Sequence, residues 1–222
     1  SLSIRQGIRP SRRASLTLDY SFGNDIDWMY IAHTDTDSLS TSRSRSYFPI
    51  GYNGEEGIQV PGWNIIVTGL EKTSILSPVF TLANIYHSHS SSKEELLTND
   101  IHTSTTYTRS LSPVLGIDLK TKGRAPLALS FRYDLDHTIN TDNTDLAEHI
   151  YDTNITLGMS YDKISKFIRF RGLSNHISIR SDIIYTSYST FLASGNDRSV
   201  WTEQESAENL RIESTLKIRF SK

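Results

Sequence analysis

The sequence predicts an all-β fold, an antiparallel transmembrane β-barrel segment of roughly eight to ten strands within a larger barrel. Three observations predict it. Several stretches alternate strictly between apolar and polar residues, helix signals are few, and the connections alternate between long polar stretches and shorter ones. Leu127, Leu129, Phe131, Tyr133 and Leu135 alternate with Ala128, Ser130, Arg132 and Asp134. A period of two sends the two sets to opposite faces of a sheet, one apolar and one charged. A soluble β-sandwich shows the same alternation, so one hairpin does not separate the two architectures.

Composition narrows the class. The chain has 222 residues, a formal net charge of −2, no cysteine and a hydrophobic fraction of 36%. Without cysteine there is no disulfide scaffold and no thiolate metal site. Near-neutral charge argues against a dedicated nucleic-acid binder. No apolar run reaches the ~18 residues of a transmembrane helix. Residues 1–13 lack the apolar centre of a signal peptide, so the chain is expected to be cytosolic or not the whole precursor. Moderate hydropathy fits a barrel, because only every second strand residue faces lipid.

In chain order, Leu2–Arg9 reads as a strand tail ended by Pro10. From Ala14 the apolar phase passes through Leu16, Leu18, Tyr20 and Phe22, then continues to Ile26, Trp28 and Tyr30. Either Gly23-Asn24 turns a hairpin, or 14–34 is one strand with its turn at Pro10–Arg13. Residues 34–60 read as a Ser/Asp/Gly-rich loop, Trp63–Leu70 as a strand, 71–80 as a connection containing Pro78, and Phe80–His87 as a strand. Residues 88–112 read as a second polar loop. Within it SSSKEELL, with Ser92 near its N-cap, is the best helix candidate. Val114–Lys120 and Leu127–Leu135 make a hairpin, 136–149 a third loop, and Ile150–Tyr161 and His176–Phe191 strands. A fourth loop, 192–209, precedes a last strand whose Leu210, Ile212, Leu216, Ile218 and Phe220 oppose Arg211, Glu213, Thr215, Lys217 and Arg219.

Long external loops and short periplasmic turns are the habit of outer-membrane barrels. Tyr20, Phe22, Trp28, Tyr133, Tyr151, Tyr161, Tyr185 and Phe220 lie near strand ends, where interfacial girdles form. With long loops external, the last strand ends in the periplasm, and counting back starts the chain outside. Open strand edges are not tolerated in lipid, so residues 1–222 are expected to be one C-terminal portion of a larger barrel. The expected lumen-facing residues are Arg132, Asp134, Arg180, Asp182, Arg211, Glu213, Lys217 and Arg219. Their role is to keep a pore wet, with no catalytic residue among them.

Two segments carry a resemblance. SPVLGIDLKTKGRAPLALSFRYDLDHT resembles the SPL-G-D-T-K-N strand pair near the end of SprA-type proteins. PGWNIIVTGLEKTSILSPVFTLANIYHSHSS resembles that family's P-x-W-x-x-x-x-x-G-L strand, short turn and N-x-x-H strand. Trp63, Gly69, Leu70, Pro113, Gly116 and Asp118 carry it, over about residues 61–135 and more loosely 14–222. The family is the outer-membrane translocon of type IX secretion and gliding motility. The resemblance implies a non-enzymatic pore in a Gram-negative, Bacteroidota-like outer membrane, with a periplasmic C-terminus and no cofactor. Its implied partners are outer-membrane lipid, cargo proteins with sorting domains, shuttle and plug proteins, and the remaining barrel strands. Family members continue past the strand matching 210–220, where this chain stops.

Other constellations are thin. His33, Asp35 and Asp37, and likewise His87 and His89, share strand faces but lack the three or four converging ligands of a metal site. No nucleophile elbow is present. Gly51, Gly54 and Gly57 lack the Lys-Ser/Thr of a phosphate loop. The basic stretch Lys163–Arg171 reads as a periplasmic-side turn. An unrelated porin or receptor barrel and a soluble, ligand-binding β-sandwich are the competing expectations.

Overall fold

Alternation and β-branched or aromatic side chains carry nearly the whole chain into extended structure. A computed structural model describes residues 2–29, 38–45, 51–53, 57–59, 62–98, 101–123, 126–142, 146–165, 174–193 and 201–221. The strands are β1 (Leu2–Ser11), β2 (Ala14–Met29), β3 (Ser38–Arg45), β4 (Gly51–Asn53), β5 (Gly57–Gln59) and β6 (Gly62–Val67). They continue with β7 (Phe80–Thr98), β8 (Ile101–Thr121), β9 (Leu127–Asp142), β10 (Ala147–Ser165), β11 (Ser174–Ala193) and β12 (Trp201–Ser221). The only helical element among the described residues is a 3-10 turn, Leu70–Lys72. It is entered through Gly69 at φ 74°, a left-handed conformation that suits glycine.

β4 and β5 form a ribbon of their own, and the other ten strands form one antiparallel sheet in the order β1-β2-β3-β7-β8-β9-β10-β11-β12. β6 also lies between β2 and β7. β3 pairs with β2 over Phe22–Met29, and β6 pairs with it over Ala14–Asp19. The two are halves of one strand position, interrupted by 46–61, so the sheet is nine strands wide.

The strands are staggered. One row of cross-strand partners runs Ala14, Val67, Ile85, Ile117, Phe131, Leu157. β2 begins on this row, whereas β10 continues from Leu157 to Ser165, eight residues further. At the other end Phe22 shares a row with Arg45, Lys93, Tyr107, Ile139 and His149. β2 runs seven residues beyond that row to Met29, and β10 only two, to Ala147. Over the five strand steps from β2 to β10 the ends therefore shift by eight and by five residues. At a rise of about 3.3 Å per residue and a spacing of about 4.8 Å this corresponds to a tilt of about 35–48°. Closed barrels use about 35–45°.

Of the two alternatives left open for 14–34 the structure takes the second: β2 runs through Gly23-Asn24, and the β1–β2 turn falls at Arg12-Arg13. Several expectations are corrected. The segments read as polar loops are largely strand. Residues 38–45 pair as β3, 88–112 lie mostly in β7 and β8, 136–149 mostly in β9 and β10, and 201–209 in β12. SSSKEELL is part of β7, not a helix. The physical reason is that both faces are polar there, so the two-residue period vanishes while ladder hydrogen bonds continue. The asymmetry between the two ends is present, built from protruding strand rather than from loop. His33, Asp35, Asp37, Gly54 and most of Lys163–Arg171 lie outside the described residues.

Candidate functional site

Cross-strand partners share a face, so the register assigns sides without ambiguity. Leu127–Leu135 of β9 aligns its odd positions with Ile155, Leu157, Met159 and Tyr161 of β10. These meet Tyr185, Ile183, Ser181 and Ile179 of β11, which meet Leu210, Ile212, Ser214 and Leu216 of β12. β8 and β7 add Leu115, Ile117, Leu119, Ala83 and Ile85. The result is a continuous apolar band. It spans nine residues on β12, Leu210–Ile218, about the 9–11 that cross a membrane. The next row, Leu135, Thr153, Ser187 and Glu208, turns polar.

Nothing among the described residues covers this band. Leu157 is 45% and Ile183 40% exposed, and Ile212 on the edge strand reaches 67%. Among the described residues the buried hydrophobic ones number five, three of them alanines (Ala83, Ala147, Ala193, with Tyr107 and Ile139). A sandwich would bury one face of large aliphatics instead. Within the band the hydroxyls of Ser181 and Ser214 stand opposite each other and hydrogen-bond at 3.0 Å. Two polar groups on an apolar surface thereby satisfy each other.

Tyr133 and Tyr185 close the band's far edge and Tyr161 lies toward its near edge. The side chains of Tyr20, Phe22, Trp28 and Phe220 lie outside those described. A ring cluster that sequence spacing did not reveal stands just beyond the far edge. His137 stacks on Tyr151 at 4.2 Å, and His149 lies 4.2 Å from Trp201. His87 and His89, considered as metal ligands, pack against Trp63, with His89 stacked at 4.2 Å. No group of three or more metal-ligating side chains occurs among the described residues.

The opposite face collects the eight residues predicted to line a lumen. Arg132, Thr156, Ile184 and Arg211 form one row, and Ser130, Gly158, Asp182 and Glu213 the next. Then come Ala128, Ser160, Arg180 and Thr215, with Lys217 opposite Ser178 and Arg219 opposite His176 in the register. Asp134 sits opposite Asn154. Among these residues Arg132, Arg180 and Arg211 each precede an acid by two residues on the same strand. Arg132 Nε reaches both Asp134 oxygens at 2.9 and 2.8 Å, Arg180 Nε meets Asp182 at 2.8 Å, and Arg211 Nε meets Glu213 at 3.1 Å. These pairs are solvated, worth about 0–1 kcal/mol each. Their effect is to hold charge at fixed spacing on a wet surface.

Further polar contacts went unread in the sequence. A bulge in β8 sets four residue steps, Leu111 to Leu115, against two on β9. Pro113, which has no N–H for a ladder, lies in it. The bulge brings Ser112 to the β9 pair: its Oγ donates to Asp134 Oδ1 and accepts from Arg132 Nη2, both at 2.9 Å. Tyr86 donates to Asp118 at 2.5 Å and lays its ring over Gly116, where an added Cβ would stand 3.0 Å from it. At Gly158 the missing side chain makes room for Ser130 and Asp182 from both neighbours. Shallow grooves of about 360 and 450 Å³ flank it, sharing Arg180, Asp182 and Ser160.

No protein-family model matches the chain, and no curated protein matches it.

Proposed function

We propose that this chain is a stretch of the wall of a large outer-membrane β-barrel, part of a SprA-like translocon that passes folded proteins. The observation that carries the membrane reading is the uncovered apolar band, one membrane thickness tall, backed by a charged face on the same strands. Contiguous apolar surface of this extent marks a membrane or partner surface. The stagger supports a barrel wall in particular, since tilt and stagger are what closure requires. β1 and β12 each have one neighbour among the described residues. In a nine-strand antiparallel sheet these edges run in the same direction, so joining them would need a parallel pair. Further strands between them complete the ring in this reading, because lipid leaves no open edge.

The translocon assignment rests on the resemblance over residues 61–135. In it, the charged pairs keep the pore wet and form weak, reversible contacts with passing cargo, and the shuttle and plug proteins engage the whole barrel. The wall carries no catalytic step. The test is fractionation of the native protein carrying a tag after Lys222, reading compartment and apparent mass. The reading expects a very large, heat-modifiable species in the outer membrane, with the tag on the periplasmic side. A smaller outer-membrane species would keep the barrel and sink the translocon. A soluble species of about 25 kDa, the mass of the chain, would sink both and favour a sandwich.

A further inference from the structure

Beyond the polar row of Leu135, Thr153, Ser187 and Glu208, the band's side of the sheet turns aromatic again. His137, His149, Tyr151, Phe191 and Trp201, from β9, β10, β11 and β12, stand there in one patch. His137 lies parallel to Tyr151, with an interplanar angle of 4°. Its Nε2 is 3.2 Å from His149 Nδ1, one ring nitrogen donating to the other. His149 in turn meets Trp201, and Phe191 stands edge-on to Tyr151 at 6.0 Å. Each ring is braced by another, while Tyr151 and Trp201 remain 36% and 39% exposed.

Trp201 does not reach this side by alternation. Counting by twos from Leu210 leads to Glu208, Ser206, Gln204 and Thr202, which leaves Trp201 on the charged face. A bulge reverses the phase: Thr190 pairs with Glu205 but Phe191 with Glu203, so β12 gains one residue and Trp201 comes opposite Ala193. Bulges re-aim side chains, and this one completes the patch. Along β10 the patch runs from Tyr151 to the Ala147 row of Trp201, four to eight residues beyond Ile155, the band's last aliphatic residue on that strand. At about 3.3 Å per residue and a tilt of about 35–48°, that is about 9–22 Å above the band. Phospholipid headgroups extend only about 5–8 Å beyond the hydrocarbon. Exposed rings at this level, on the side that faces lipid, fit a taller polar layer. The flat C–H face of a sugar packs on an aromatic face, and Tyr and Trp offer a polar end to its hydroxyls. At the β8 end of the patch stands Arg109, exposed and the register partner of His137. Glu203 and Glu208 on this side lie on β12, four strand steps or about 19 Å away.

We propose that this patch seats the headgroup of a phosphorylated glycolipid of the surrounding leaflet, its sugars on Tyr151 and Trp201 and its phosphate toward Arg109. The proposal rests on the outer-membrane barrel reading above, which puts this end of the strands outside. Charge sets the orientation: the anionic group lies at the β8 side, away from the two glutamates of β12.

The native protein, extracted in non-ionic detergent, is titrated with fluorescent lipopolysaccharide carrying its core sugars and with fluorescent phosphatidylglycerol, which is anionic but has no sugar. The expected result is about tenfold tighter binding of the lipopolysaccharide, lost when Tyr151→Ser and Trp201→Ser are combined. Arg109→Gln is expected to weaken the salt dependence of that binding. Tyr188→Ser is the control: it removes a ring at similar height from the opposite face, where Tyr188 pairs with Asp152, and should leave binding unchanged. Equal binding of the two lipids, a preference that survives the double substitution, or an equal loss in Tyr188→Ser would overturn the site. A double variant that loses its β-type circular dichroism is replaced by the two single substitutions, each expected to lose part of the preference. Free core oligosaccharide that displaces the lipopolysaccharide at equal concentration would reassign the patch to soluble glycans and overturn the glycolipid proposal. Failure of the barrel reading shows separately: an outer-membrane protein that binds both lipids equally keeps the barrel and loses the site, whereas a protein that fractionates as soluble loses both.

Discussion

Leu129 and Ser130 are neighbours in sequence and stand on opposite faces of the sheet. Leu129 shares its row with Leu119, Met159, Ser181 and Ser214 inside the apolar band, whereas Ser130 is exposed on the charged face. Leu129→Arg is therefore expected to cost about 2–4 kcal/mol if the band lies in a bilayer, and Ser130→Arg much less. Urea unfolding in detergent micelles measures the difference, and equal costs would contradict the face assignment. Gly116 makes a second prediction. A Cβ there would stand 3.0 Å from the Tyr86 ring and 3.1 Å from Pro113, neither of which swings away freely. Gly116→Ala should cost about 1–3 kcal/mol, as overpacking does. In a Tyr86→Ser background the same change should be much milder. Additive losses in the double variant would show that the ring contact is not the cause.

Between elements, the β11–β12 pairing holds a polar contact inside an apolar band. Ser181 and Ser214 satisfy each other, so removing one hydroxyl strands its partner. If the band lies in a bilayer, Ser181→Ala alone should destabilise by about 1 kcal/mol or more, while the double change to alanine should be neutral or stabilising. A double-mutant cycle of urea midpoints checks this, and a double variant worse than either single one would refute it. The element scale is also where sequence reasoning failed most. Strand cores with one apolar face were legible from alternation: Leu127–Leu135, Ile150–Tyr161 and the last strand all appear where expected. Their extensions were not, because Ser91–Glu95 or Thr105–Ser110 present polar residues to both sides. Hydrogen bonding to neighbouring strands, which no local pattern reports, keeps them extended.

At the scale of the molecule, one sheet nine strands wide carries an apolar band that no other described residue covers. A globular domain of this length buries most of its large aliphatics, whereas among the described residues of this chain most of them are not buried. The stagger of about one to 1.6 residues per strand, a tilt of about 35–48°, gives the sheet the slant of a barrel wall. The interruption of β3 and β6 by 46–61 places an insertion at one strand position, while the rows on either side run on through β2 and β7.

By itself the sequence determined the all-β class, the two-faced strands and the alternation that sets charged residues apart from apolar ones. Each of these is a local consequence of side chains alternating along a strand. Only the tertiary structure decided that the polar stretches are strand, that β3 and β6 share one position, and that a bulge in β12 carries Trp201 to His149. Those outcomes depend on which strand lies beside which, and on how far each slides past its neighbour. Pairing partners and register are set by contacts between residues remote in the chain, such as Ala14 with Val67 and Arg45 with Lys93, and alternation within a strand is the same at every register of equal parity.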